Sequence, residues 1–123
     1  MKLFSHNIHG FEGPPKIRAF KALLDLTSPN LLFFQETMCD YEQDIRVFAL
    51  IRPGWHLCAI FAVDLSCGLL SGWNPYTVCF KEYKTSVGIF MEGSVREFKF
   101  SILCINCYGP YCNRDVFLAF GGV

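Results

Sequence analysis

Along residues 2–8 the chain alternates, with Leu3, Ser5 and Asn7 on one face of an extended segment and Phe4, His6 and Ile8 on the other. This period-two pattern predicts a short strand, ended by Gly10 and the Gly13-Pro14-Pro15 cluster. The same prolines suit the first turn of a helix, where an amide hydrogen has no intrahelical partner in any case. Ile17, Phe20, Leu23, Leu24 and Thr27 then recur at helical spacing until Ser28-Pro29. Leu31-Leu32-Phe33-Phe34 is an unbroken apolar run between turn residues and predicts a strand buried on both faces. Asp40, with Gln43 three residues on, has the spacing of a capping box and opens a second helix with Ile45, Phe48 and Ala49 as its inner face. From Gly54 onward the period shortens. Strand-like runs at 55–61, 68–73, 76–81, 86–91 and 95–108 are separated by turn formers such as Asn74-Pro75 and Glu92-Gly93-Ser94, and the last two runs read as a hairpin. Two crossover units feeding antiparallel strands predict a layered α/β architecture, with no internal repeat and no linker.

Composition narrows the function more than the fold. A length of 123 residues suits one domain, and 52% hydrophobic residues with thirteen phenylalanines exclude a disordered chain. Eleven basic side chains offset eleven acidic ones, so neither a basic nucleic-acid stripe nor an acidic tail is present. An anionic substrate would have to be held by local geometry or a metal. The longest uncharged stretch, 65–80, is too short and too rich in Ser, Gly, Asn and Pro for a membrane span. The polar start at Ser5-His6-Asn7 interrupts any signal-peptide core. Seven cysteines at irregular spacing fit an intracellular chain, nuclear or cytoplasmic. Cys104 and Cys107 have zinc-ribbon spacing without a second pair, and strand alternation puts them on opposite faces, so they read as small hydrophobes.

Three clusters follow the ends of predicted strands, where ligands of open α/β sheets usually sit: Ser5-His6-Asn7, Gln35-Glu36-Thr37, and Asn106-Cys107-Tyr108-Gly109-Pro110. Glu36 follows four core residues, so a buried strand sets its position. It suits either a ligand for a hard cation such as Mg²⁺ or a solvated acid at a strand–loop junction. Asn7 either orients a carboxylate or phosphate or satisfies its own turn before Gly10. The Tyr108 hydroxyl either reaches a phosphate or leaves the ring to cap the core.

Order and combination say more than any one residue. Ser5-x-Asn7-Ile8-x-Gly10, Phe34-Gln35-Glu36-Thr37, Gly68-Leu69-Leu70-Ser71-Gly72-Trp73-Asn74 and Asn106-x-Tyr108-Gly109-Pro110 occur in succession. In this the chain resembles the endonuclease/exonuclease/phosphatase superfamily. Within it the chain looks most like the endonuclease domain of plant LINE-type (non-LTR) retrotransposons, from Met1 to about Phe117. The resemblance implies a four-layer α/β sandwich of DNase I-like fold and a divalent-metal phosphodiesterase that hydrolyses DNA with Mg²⁺ or Mn²⁺. It puts the metal-binding glutamate on Glu36, the active-site asparagine on Asn7 and the tyrosine that binds the scissile phosphate on Tyr108.

The chain also departs from that family. His6 stands where tryptophan is usual among plant relatives, Cys67 where glycine is, and Tyr111 where a polar residue follows the Tyr-x-Pro turn. Alternation sets His6 opposite Asn7, which suits packing. The family's Gly-Asp-Phe-Asn and Ser-Asp-His blocks, with the catalytic aspartate and histidine, do not occur in these residues. Asp115 reads as the start of a helix after the Tyr-Gly-Pro turn. The expectation is therefore that 1–123 is about the first half of the domain, inactive alone. Completion by another chain and a non-catalytic role remain as alternatives. A half sandwich is further expected to self-associate through an apolar sheet face.

Overall fold

The computed structural model describes residues 2–8, 10, 13–37, 41–60, 68–96 and 101–107. Residues 31–34 decide the architecture. All four are buried, although successive strand residues point to opposite faces, so one layer must lie on each side. They belong to β2 (Leu31–Gln35), which follows β1 (Leu3–Asn7) and α1 (Gly13–Thr27). Next come α2 (Tyr41–Ile51), β3 (His56–Ile60), β4 (Leu69–Trp73), β5 (Val78–Lys84), β6 (Gly88–Val95) and β7 (Ser101–Cys107). β1 and β2 pair in parallel, and β4 inserts antiparallel between β2 and β3, giving the order β1-β2-β4-β3. β5, β6 and β7 form a second, antiparallel sheet in sequence order.

Alternation along the strands sorts the core into two shells. Phe4, Ile8, Leu32, Phe34, Leu57 and Leu70 meet Ile17, Phe20 and Leu24 of α1 and Val47, Phe48 and Ile51 of α2. On the opposite face Leu31, Phe33, Cys58, Leu69 and Trp73 meet Val78, Ile89, Met91 and Val95 of the second sheet. Each such side chain contributes roughly 1.5–3 kcal/mol relative to exposure. The described residues thus form three layers: helices, sheet, sheet. Among them, no helix is long and apolar enough to cross a membrane.

Several expectations need correction. The inner face of α2 is Val47, Phe48 and Ile51, while Ile45 is 37% exposed and Ala49 is exposed. The reason lies on β4. Phe48 rests on Gly72, where an added Cβ would stand 2.1 Å from the ring, and this fit fixes the helix's rotation. Leu23 of α1 is likewise 41% exposed. Glu92-Gly93-Ser94 is no turn but the continuation of β6. Gly93 is small because a Cβ there would lie 1.9 Å from the Cys79 carbonyl oxygen. The turn before β6 is made at Thr85, whose amide donates to the Gly88 carbonyl at 2.9 Å. The 86–91 run belongs to β6, which extends to Val95, and residues 101–107 of the 95–108 run form β7, paired antiparallel with it. Of the described cysteines Cys58 is buried and Cys104 packs on the inter-sheet core, but Cys79 is exposed. Asp40, Cys67, Tyr108, Tyr111 and Asp115 lie outside the described residues, as does the Gln43 side chain, so the capping box goes with them.

Candidate functional site

The parallel pair β1 and β2 end together, with Asn7 beside Gln35 in register. Two backbone bonds continue the pairing past the strands: the Ile8 amide donates to the Gln35 carbonyl at 3.1 Å, and the Gly10 amide to the Glu36 carbonyl at 2.8 Å. From the other side, the Thr37 amide donates to the Gly68 carbonyl at 3.3 Å, where the chain enters β4. Lys16 of α1 donates through its ammonium to the Ile8 carbonyl and so anchors the first strand's exit to the helix. The ends of β1, β2 and β3 and the start of β4 therefore lie on one side of the sheet.

Glu36 occupies a strained turn within this set. Its φ is +53°, in the left-handed region that non-glycine residues seldom adopt, at a cost of about 1–3 kcal/mol. Bonds to the backbone on both sides hold it there. The side chain is half-buried. Asn7 is exposed on the same face of the sheet as Gln35. His6, on the opposite face, packs its ring edge-on to Phe20 at 5.4 Å, as alternation predicts.

The second sheet enters through Asn106. This residue of β7 is 1% exposed. Its amide nitrogen donates to the Leu70 carbonyl at 3.0 Å and to Ser71 Oγ at 3.1 Å, with the Phe34 carbonyl at 3.4 Å. Its Oδ1 accepts from Gln35 Nε2 at 2.8 Å, and the same Nε2 lies 3.3 Å from Ser5 Oγ. A buried amide with every polar atom paired joins β7 to β2 and β4 at the end that carries Glu36. Gln35 and Asn106 belong to the strand-end clusters and Ser71 to the 68–74 block, but the sequence assigns none of them a role. The available signal was a polar residue inside an apolar strand, which must find partners when buried.

Mg²⁺ can be held by one or two carboxylates, with waters and phosphate oxygens completing its six ligands. Among the described residues no group of three or more His, Cys, Asp or Glu side chains could form an all-protein cage. One carboxylate, Glu36, at the strand exit that also carries Asn7 on β1, is the donor chemistry such a hard, water-rich ion takes. Thr37, adjacent to Glu36, is fully buried, and its Oγ1 has no hydrogen-bond partner among the described residues. An orphaned hydroxyl beside a candidate ligand also fits a site built for water or an ion.

The sequence matches no protein-family model and no curated protein. Its fold does have a solved counterpart. The crystal structure of TDP2 from C. elegans superposes with a TM-score of 0.58 at 17% identity, covering 97% of this chain and 40% of that one. The fold is DNase I-like. The chain spans two-fifths of the neighbour's length, which accords with part of a four-layer α/β sandwich. At this identity the likeness speaks for the fold alone.

Proposed function

We propose that the chain carries the Glu36–Asn7 portion of a divalent-metal phosphodiesterase site of the endonuclease/exonuclease/phosphatase superfamily. The observation that carries this reading is Glu36 held at φ +53° by backbone bonds at the common exit of β1 and β2. Strain of this kind persists where its surroundings over-determine it, and it concentrates at functional sites.

In this reading Glu36 and Asn7 hold Mg²⁺ or Mn²⁺, and the Asn7 amide also orients a phosphate oxygen. Tyr108 is assigned to the scissile phosphate by resemblance. The metal would supply charge neutralisation at a phosphoryl oxygen. The substrate class is DNA by analogy with the LINE-type endonucleases that the four sequence blocks resemble, and the cellular setting is nuclear or cytoplasmic on the irregular spacing of the cysteines. We assign 1–123 to about the first half of such a domain. These residues contain neither an Asp-Phe-Asn nor a Ser-Asp-His block, so turnover by this chain alone is not expected. Self-association through the outer face of β5–β7 belongs to the same proposal. Tyr83 and Leu103, on the face turned away from the core, are 42% and 61% exposed.

Mn²⁺ titration followed by water-proton relaxation tests the reading. The chain should bind Mn²⁺, and Glu36→Gln should weaken binding at least about tenfold, since one ligand charge is lost. Equal affinity in the two proteins would overturn the metal assignment. Supercoiled plasmid with Mg²⁺ should remain uncut; nicking abolished by Glu36→Ala would overturn the claim of inactivity.

A further inference from the structure

We infer that Asn106 and Gln35 are positioning residues that fix the Glu36 turn from the second sheet. The proposal deepens the metal-site reading above, but it stands on its own geometry. Glu36 is one residue beyond Gln35, and its left-handed conformation requires that the exit of β2 be held in place. Backbone bonds hold the carbonyl of Glu36 and the amide of Thr37. The Gln35 side chain is held separately, at 2.8 Å from Asn106 Oδ1 and within reach of Ser5 Oγ on β1.

Asn106 is suited to this task because it cannot easily move. Its amide nitrogen is committed to the Leu70 carbonyl and Ser71 Oγ on β4, deep between the sheets. A buried amide with all its partners made has one orientation, since any rotation leaves donors and acceptors unpaired where water cannot replace them. Its fixed Oδ1 therefore presents a single acceptor site to Gln35. Gln35 in turn spans β1 and β7 and sets the angle at which β2 leaves the sheet. The carboxylate of Glu36, the strand that carries Asn7 and the end of β7 then behave as one rigid unit. Pairing with β4 satisfies only the amide nitrogen of Asn106. The buried Oδ1 takes its donor from Gln35, and that bond ties the fixed amide to the residue next to Glu36.

Gln35→Met is the informative variant. It removes the side-chain bridge, keeps similar volume, and leaves the anchors of Asn106 on β4 intact. Asn106→Leu removes the whole network and serves as a second variant if it folds. Two readouts are needed besides thermal melting: amide hydrogen exchange at Gly10, which donates to the Glu36 carbonyl, and Mn²⁺ affinity. Gln35→Met should still melt cooperatively, at a lower temperature, because the buried Asn106 Oδ1 loses the donor that Gln35 supplies. Its Gly10 amide should exchange at least about tenfold faster, and Mn²⁺ should bind about tenfold more weakly, as is usual when a group supporting a metal ligand is lost. A folded Gln35→Met with unchanged Gly10 exchange overturns the inference, and so does unchanged affinity where the wild type binds Mn²⁺ through Glu36. Should the wild type show no Glu36-dependent binding, the metal reading fails, and Gly10 exchange alone decides whether Gln35 holds the turn.

Discussion

At the level of single residues, Glu36 combines two costs that a merely structural junction would avoid. It is an acid half-buried at a strand exit, and it sits in a backbone region better suited to glycine or asparagine. Relieving the strain should therefore stabilise the fold while removing the proposed ligand. Glu36→Gly is expected to raise unfolding stability by roughly 0.5–1 kcal/mol, read from urea denaturation, and to abolish the Glu36-dependent Mn²⁺ signal. A destabilised variant would count against the strain argument. The sequence placed Glu36 well, because four consecutive core residues leave little freedom in where a strand ends. It did not disclose the left-handed turn, which depends on Gly10 and Gly68 reaching it from other elements. Nor did it disclose Asn106 as a tie, since its partners Phe34 and Leu70 are 72 and 36 residues away in the chain. Burial also acts on sulfur: desolvation, aided by nearby Glu82, pushes the Cys58 thiol up to about 11, so it stays protonated and inert at neutral pH.

Among the elements, those that could be read locally came through and those set by a neighbour did not. β2 needs only its own apolar run, and α1 begins with Pro14-Pro15 in its first turn and ends where Ser28 takes φ +49° before Pro29. The rotation of α2 was hidden because it is decided by a glycine on β4. Gly93 was misleading for a related reason, since glycine serves close backbone approach as readily as a turn. The packing of Phe48 on Gly72 can be tested directly. Gly72→Ala forces a methyl into the ring and should cost about 1–3 kcal/mol. Adding Phe48→Leu should recover part of that loss, because the double variant restores room at the contact. Additive losses in a double-mutant cycle would show that the two residues are not coupled.

For the molecule as a whole, the order of strands was less legible than their existence. Nothing in the sequence says that β4 inserts between β2 and β3, a choice settled by long-range pairing. The even charge balance leaves little electrostatic repulsion to keep copies apart. Sedimentation should show a mass that rises with protein concentration. Leu103→Lys should reduce that rise without altering Mn²⁺ affinity, whereas a concentration-independent mass would remove the self-association proposal. The two sheets are also clasped at opposite corners by contacts of different kinds. Near Glu36 the clasp is the uncharged, water-excluded Asn106 amide. At the far corner it is His56 against Glu82 at 2.7 Å, both partly exposed, with the imidazole stacked on Trp73. Water reaches the second contact and is shut out of the first. Breathing of the sandwich is therefore expected to begin at the β3–β5 corner, with the end that carries Glu36 the last to part.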